Sequence, residues 1–259
     1  MPAELKSTSQ GATMILTISN PEMRNALGPE IYAAGVEALN AADGNPEIRS
    51  VVINGEGANF CAGGNLARLQ ENRQQPREVQ ERSVAALHSW IDTIRTFQKP
   101  VIAAVEGAAA GAGFSLCLAC DFIVAADNAV FVMAYSNVAL SPDGGASWAL
   151  GRSLPRQAAS EILMCGDRLG AARLHQLGIV NRVAPPGSAL EEALALAERL
   201  NARAPTALAS IKELLNDAAT NTLATHLASE QKHFVENLHH ANGGIGIEAF
   251  LAKKTPSYE

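Results

Sequence analysis

Aromatic residues are scarce in this 259-residue chain, 5% of the total against 47% for all hydrophobic types. Alanine makes up much of the difference, as in an ordinary α/β protein. Positive charge is in deficit. With 20 Lys and Arg against 26 Asp and Glu, the formal net charge is −6, which argues against nucleic acid as the main partner. No apolar run approaches the ~20 residues that cross a membrane, so no membrane association is expected. The opening MPAELKSTSQ has no apolar core and does not read as a signal peptide, which points to a cytoplasmic protein. Cysteine is limited to Cys61, Cys117, Cys120 and Cys165. Cys117 and Cys120 have C-x-x-C spacing, yet they lie in an apolar segment with no second pair to complete a zinc site, so no metal is expected. Reduced, packed thiols fit better.

What is present is concentrated in residues 99–121, KPVIAAVEGAAAGAGFSLCLACD. Residues 101–105 are apolar, short and partly β-branched, which suits a buried strand. After Glu106 and Gly107 come only small residues, and residues 114–120 then read as a buried helix. Small side chains at a strand-to-helix junction admit close approach to the backbone, and the first N–H groups of a helix carry partial positive charge. The dinucleotide fingerprint is not met, because Leu116 stands where the third glycine belongs. Ser115 lacks the glycine two residues on that a nucleophile elbow needs. Tight helix-on-sheet packing explains this stretch as well as an oxyanion site does.

The same shape occurs earlier. Residues 11–20 read as a strand closed by Asn20-Pro21, residues 29–43 as a helix, and residues 50–55 as a second buried strand. That strand runs into GANFCAGGNL, residues 57–66, another small-residue loop before a helix start. Two such loops can aim two backbone donors at one oxygen, as an oxyanion hole requires. Residues 65–80 are polar and fit either a mobile loop over a site or an exposed helix with a break. Residues 79–97 form an amphipathic helix carrying His88, by default a structural or solvated histidine. Short strands follow at 122–126 and 130–133. Asp143, wedged in Pro142-Asp143-Gly144-Gly145, either caps a helix starting near Ala146 or faces a dry pocket as a base. Helices at 158–164 and 171–177 and a strand at 179–183 complete a core, and Pro185-Pro186-Gly187-Ser188 marks a linker. Beyond it residues 189–204, 206–219 and 223–238 are helical, His239 and His240 sit exposed at a helix end, and a short helix from Gly243 ends near Phe250 to Lys254.

The loop Phe60-Cys61-Ala62-Gly63-Gly64-Asn65-Leu66, the stretch from Lys99 to Asp121 and the segment Pro142-Asp143-Gly144-Gly145 together resemble the enoyl-CoA hydratase/isomerase (crotonase) family, over nearly the whole chain and at family spacing. The resemblance implies an α/β fold: a crotonase-like spiral of ββα turns over residues 1–187, carrying acyl-CoA binding and catalysis. Residues 188–259 would be a C-terminal helical segment for trimerisation and part of the CoA site, often in a hexamer of two trimers. The substrate would be an acyl-CoA thioester, with coenzyme A as part of the substrate and no other cofactor. The family's two oxyanion donors match Gly64 and Ala112. Its CoA contacts match Arg24, Ala26, Ala62 and Leu66, and its aromatic-then-lysine pair, which reaches a neighbouring subunit's nucleotide, matches Phe250 and Lys253.

The departures shape the expected chemistry. The two glutamates of the family's hydratases match Ser115 and Tyr135, neither of which does that work at neutral pH. Asp143 instead matches the lone aspartate of the ring-epoxide isomerases of phenylacetate degradation and of the 4-chlorobenzoyl-CoA dehalogenases. His88 has the spacing of the dehalogenase histidine, but Tyr135 replaces the dehalogenase tryptophan. The leading expectation is an acyl-CoA isomerase with Asp143 as acid/base and Gly64 and Ala112 as the oxyanion hole. The alternatives are water addition or hydrolysis shared by His88 and Asp143, and a catalytically silent acyl-CoA- or RNA-binding member.

Overall fold

The computed structural model describes residues 3–258. Its strands are β1 (Glu4–Gln10), β2 (Thr13–Ser19), β3 (Ser50–Gly55), β4 (Val101–Val105), β5 (Ala108–Ala110), β6 (Phe122–Ala126), β7 (Val130–Val132), β8 (Arg168–Gly170) and β9 (Arg182–Ala184). The helices of the core are α1 (Pro29–Asp43), α2 (Leu66–Asn72), α3 (Arg77–Thr96), α4 (Ala112–Ala119), α5 (Ala146–Ser153), α6 (Arg156–Cys165), α7 (Ala171–Gln176) and α8 (Ala189–Asn201). The last three are α9 (Pro205–Asp217), α10 (Leu223–His239) and α11 (Ala241–Leu251).

The main sheet runs β1-β2-β3-β4-β6-β9, parallel throughout except for the β1–β2 hairpin. Strands buried on both faces must be apolar without alternation, and β4 is buried at all five positions. On one face α8 lays Ala193, Leu196 and Ala197 over Val52, Ile102 and Val124. On the other, Leu16, Ile53, Ala103 and Val105 join the larger core with Phe60, Trp90 and Phe114.

A second sheet, β5-β7-β8, stacks the returning halves of the turns. Cys61 bridges to Ala109 of β5, and Leu27 bridges to Gly64, so the loops after β2 and β3 extend the same layer. Each turn therefore sends one strand into the main sheet and the next segment into the second: β3 then residues 61–64, β4 then β5, β6 then β7. This is the crotonase-like spiral of ββα turns.

Three strands escaped the sequence reading for physical reasons. β1 is an edge strand, exposed at six of seven positions, so its polar sequence carries no core signal. β5 is three alanines, with no β-branched residue. β8 spans only three residues. The strand read at 179–183 is in fact β9, at Arg182–Ala184, with Ile179 and Val180 buried as packing residues before it. Residues 65–80 are the helix with a break, α2 and the start of α3. Asn65 Oδ1 caps α2 by accepting the Ala67 and Arg68 N–H groups at 3.0 and 3.2 Å.

α8, the first helix of the segment expected from residue 188, packs on the main sheet as part of the core; beyond it, Lys212 of α9 clamps the remaining helices to that core. Its Nζ donates to Asp121 Oδ2 at 2.7 Å and to the Ile94 carbonyl at 3.0 Å. α11 packs on α10 and α10 on α9. Among the described residues no helix is long and apolar enough to cross a membrane.

Candidate active site

Two loops meet at the edge of the second sheet. Phe60 N–H donates to the Glu106 carbonyl at 2.7 Å, Cys61 N–H to Ala108 at 2.9 Å, and Ala110 N–H to Cys61 at 2.9 Å. This zipper lays the loop after β3 against the β5–α4 junction. Gly63 has φ +89°, and a Cβ there would stand 2.5 Å from the Ala110 oxygen and 3.3 Å from the Ala112 nitrogen. Only glycine fits such an approach. The next residue, Gly64, and the first residue of α4, Ala112, carry N–H groups that donate to no protein acceptor among the described residues. Small residues are thus needed both for the packing and for two open donors.

Cys61 lies buried under this junction. Burial pushes its thiol up to about 12 even though the Gly63 N–H points at its sulfur, so it stays protonated and is no nucleophile. Burial likewise raises Cys117 and Cys120, and all four cysteines are free thiols. Among the described residues no group of three His, Cys, Asp or Glu is placed to hold a metal ion.

Asp143 does not cap α5. The residue preceding that helix is Gly145, at φ +78°, and it offers no side-chain cap; the Asp143 main-chain carbonyl accepts the Ala146 N–H at 3.3 Å. Two successive glycines at positive φ, Gly144 (+59°) and Gly145, turn the chain before the helix and free the aspartate side chain to face inward. The Tyr135 hydroxyl donates to Asp143 Oδ1 at 2.5 Å. Burial first, and then the Asp143 charge, raise the tyrosine's pKa far above its ordinary value, so it keeps its proton and serves as a donor to the carboxylate.

Ser115, fully buried in α4, donates to the Asp143 carbonyl at 2.9 Å, with the Gly111 carbonyl at 3.3 Å. A Cβ on Gly144 would stand 2.8 Å from Ser115 Cβ, so the aspartate loop is seated directly on the serine. His88, exposed on α3, accepts the Gly144 N–H on Nε2 at 3.2 Å and holds the same loop from the other side. A Cβ on Gly111 would lie 3.7 Å from the Tyr135 ring, which brings the Tyr135–Asp143 pair beside the residue preceding Ala112. The site thus combines a carboxylate, a neutral phenol and two uncommitted N–H groups.

Around this centre the other expected residues are spread unevenly. Arg24 is exposed at φ +51°, and its carbonyl accepts the Ala62 N–H at 2.9 Å; Leu27 N–H donates to Gly63 at 2.8 Å. Residues 24–27 therefore run alongside residues 62–64, with Ala26 buried between them and Leu66, at the start of α2, 61% exposed. Phe250 is 83% exposed near the end of α11, and Lys253 follows it at φ +53°. Among the described residues no hydrogen bond or ion pair joins either of them to the 24–66 region.

Two neighbours of the site were assigned no role from sequence. Burial raises the Tyr32 hydroxyl of α1 to about 12, with Asp143 pushing it further up and Arg68 pulling it down. Arg68, from α2, donates Nη2 to the Leu27 carbonyl at 3.3 Å. The available signal was Tyr32 at helical spacing from Gly35 and Leu39, on what proves the buried face of α1, in a chain with three tyrosines.

The spiral of strands and helices that carries this site is the crotonase-like fold. The chain belongs to the enoyl-CoA hydratase/isomerase family, whose profile matches residues 8–259. It is similar to 1,2-epoxyphenylacetyl-CoA isomerase of Escherichia coli, 34% identical over 95% of this chain and 94% of that one. It is also similar to 2,3-dehydroadipyl-CoA hydratase of the same organism, 33% identical over 99% of both chains. The crystal structure of an enoyl-CoA hydratase from Polaromonas sp. JS666 superposes with a TM-score of 0.98, at 71% identity over 99% of this chain and 100% of that chain.

Proposed function

We propose that the protein isomerises an unsaturated or ring-bearing acyl-CoA through an enolate, with Asp143 moving the proton and the Gly64 and Ala112 N–H groups holding the thioester oxygen. Asp143 takes a proton from carbon, the electron pair moves onto the thioester oxygen, and the proton is returned at another carbon. A carboxylate and two N–H donors suffice for this chemistry. Tyr135 stabilises the charged carboxylate, and Ser115 and His88 position its loop. The observation that carries the reading is the Asp143 carboxylate, tied to Tyr135 at 2.5 Å, beside two N–H groups without protein acceptors among the described residues. The similarity to an epoxyphenylacetyl-CoA isomerase supports it.

Arg24, Ala26, Ala62 and Leu66 then hold the CoA, with Phe250 and Lys253 of a neighbouring copy closing on the nucleotide. Leu215, Leu223, Phe234 and Phe250 of α9–α11 are at least 70% exposed, which supports a trimer or a hexamer of two trimers.

Water addition is the second reading, favoured by two hydratase relatives. Incubation with 2-enoyl-, 3-enoyl- and phenylacetyl-type CoA esters, followed by mass spectrometry, separates the two. A product of unchanged mass with a moved double bond or rearranged ring supports isomerisation, and a gain of one water supports hydration.

A further inference from the structure

The Cys61 thiol takes no part in the proposed chemistry, yet it stands between the two donor loops. The residue is fully buried, and its sulfur accepts the Gly63 N–H at 3.3 Å. That bond closes a turn over residues 61–63, as an Asn, Asp or Ser side chain does when it accepts the N–H two residues on. Gly64, whose N–H is the first oxyanion donor, comes next. The same side chain also bears on α4: a Cβ on Gly113 would stand 2.8 Å from Cys61 Cβ and 2.9 Å from its sulfur. Only glycine lets the helix sit this close. Gly113 directly follows Ala112, whose N–H is the second donor. Cys61 therefore touches the residue before one donor and the residue after the other. Its main chain joins the same two segments, because its carbonyl accepts the Ala110 N–H at 2.9 Å. Carbon–sulfur bonds are longer than carbon–oxygen bonds, and the contact to Gly63 is longer than the ~2.9 Å of an ordinary N–H···O bond, so sulfur holds this turn wider than a hydroxyl would.

We propose that the Cys61 sulfur is the spacer of the oxyanion hole, a positioning residue that sets the separation of the Gly64 and Ala112 N–H groups through its bond to Gly63 and its packing on Gly113. The proposal rests on the oxyanion reading above and names the side chain that holds that hole in shape. The sulfur touches no substrate and forms no covalent bond. It acts only through the two loops it separates.

The test uses wild type, Cys61→Ala and Cys61→Ser with a saturated probe that binds without isomerising, butyryl-CoA carrying an isotope label at its carbonyl. Infrared difference spectra give the carbonyl stretch, which falls as hydrogen bonds to the oxygen strengthen. Turnover of the ester that isomerises gives kcat and KM, and thermal melts show that each variant is folded. Wild type is expected to lower the stretch of the bound probe below that of the free ester. Cys61→Ala removes both the acceptor and the bulk. It is expected to move the stretch back toward the free value and to lower kcat by about tenfold to a hundredfold with KM within about twofold, because misplaced donors weaken transition-state binding more than ground-state binding. Cys61→Ser keeps an acceptor on a shorter arm, is expected to fall between the two, and carries the test should the alanine variant not fold. A merely structural role would lower the melting temperature and leave the stretch where wild type puts it. Wild-type stretch and kcat in either folded variant therefore overturn the proposal. A wild type that leaves the bound probe at its free frequency would instead overturn the oxyanion reading itself, and failure of butyryl-CoA to bind would overturn the acyl-CoA reading beneath it.

Discussion

The Tyr135 hydroxyl and Asp143 Oδ1 stand 2.5 Å apart, and the tyrosine is the donor. A hydratase-type pair of glutamates is replaced here by a carboxylate with a neutral phenol bound to it and a serine that holds its main chain. The phenol orients the carboxylate and stabilises its charge. Tyr135→Phe deletes one oxygen while keeping the ring over Gly111. It is expected to lower kcat by about tenfold to a hundredfold, the worth of a hydrogen bond to a charged group, and to lower the melting temperature by a few degrees. Steady-state kinetics beside a thermal melt checks this; unchanged kcat would remove Tyr135 from the mechanism.

Ser115 sets the seat of the Asp143 loop. Restoring a glutamate there is expected to displace that loop, because Gly144 packs against Ser115 with no room for a longer side chain. Ser115→Glu should therefore lose at least about a hundredfold in activity and gain no hydration, measured by product mass, because displacement of reacting groups by an ångström costs that much. Ser115→Ala keeps the space and loses one buried hydrogen bond, about 1 kcal/mol of stability.

Gly63 is required by its neighbours. Gly63→Ala would set a methyl group 2.5 Å from the Ala110 oxygen at φ +89°. Strain and overpacking together are expected to cost about 2–4 kcal/mol. Urea unfolding measures that loss. The two N–H donors should separate at the same time, so residual activity in the folded variant falls too.

Asp121 gives the pH dependence of the clamp on α9. Burial raises its pKa, opposed by Lys212, so the folded state holds the proton more tightly than the unfolded chain. The stability contributed by this raised carboxyl is fully present below the ordinary aspartate value of about 3.9 and is lost as pH rises through the raised one. Wild type is therefore expected to lose stability relative to Asp121→Asn as pH climbs across that window, in urea unfolding at stepped pH. A wild-type advantage over Asp121→Asn that grows with pH would mean that the Lys212 pair outweighs burial. Lys212→Met, which leaves Asp121 without its cation, should cost about 1–3 kcal/mol at pH 7.

The parallel core was legible because strands buried on both faces carry uninterrupted Val, Ile and Ala, as β3 and β4 do. The loops 57–66 and 107–113 announced themselves by small residues, whose packing at the Gly63–Ala112 approach demands them. What remained illegible depends on partners far along the chain. Asp143 read equally as a cap or a base, because only the fold brings Tyr135 and Ser115 to it. His88 read by default as a structural or solvated histidine, with a share in water addition as the alternative; its Nε2 is turned onto the Gly144 N–H, a contact between residues 56 apart. Arg68 stood unassigned within a polar run, and its Nε proves to be buried.

The central claim is that Asp143 is the base, and proton exchange tests it most directly. The CoA ester that turns over is incubated in deuterated water with wild type and with Asp143→Asn, and deuterium uptake at the carbon beside the thioester is followed by mass spectrometry. Asparagine keeps the shape and the contact with Tyr135 but cannot take a proton. Wild type is expected to exchange readily and the variant at least about a thousandfold more slowly, within the range that one acid/base group contributes. Exchange that persists in Asp143→Asn at the wild-type rate would contradict the account and move the base elsewhere in the site.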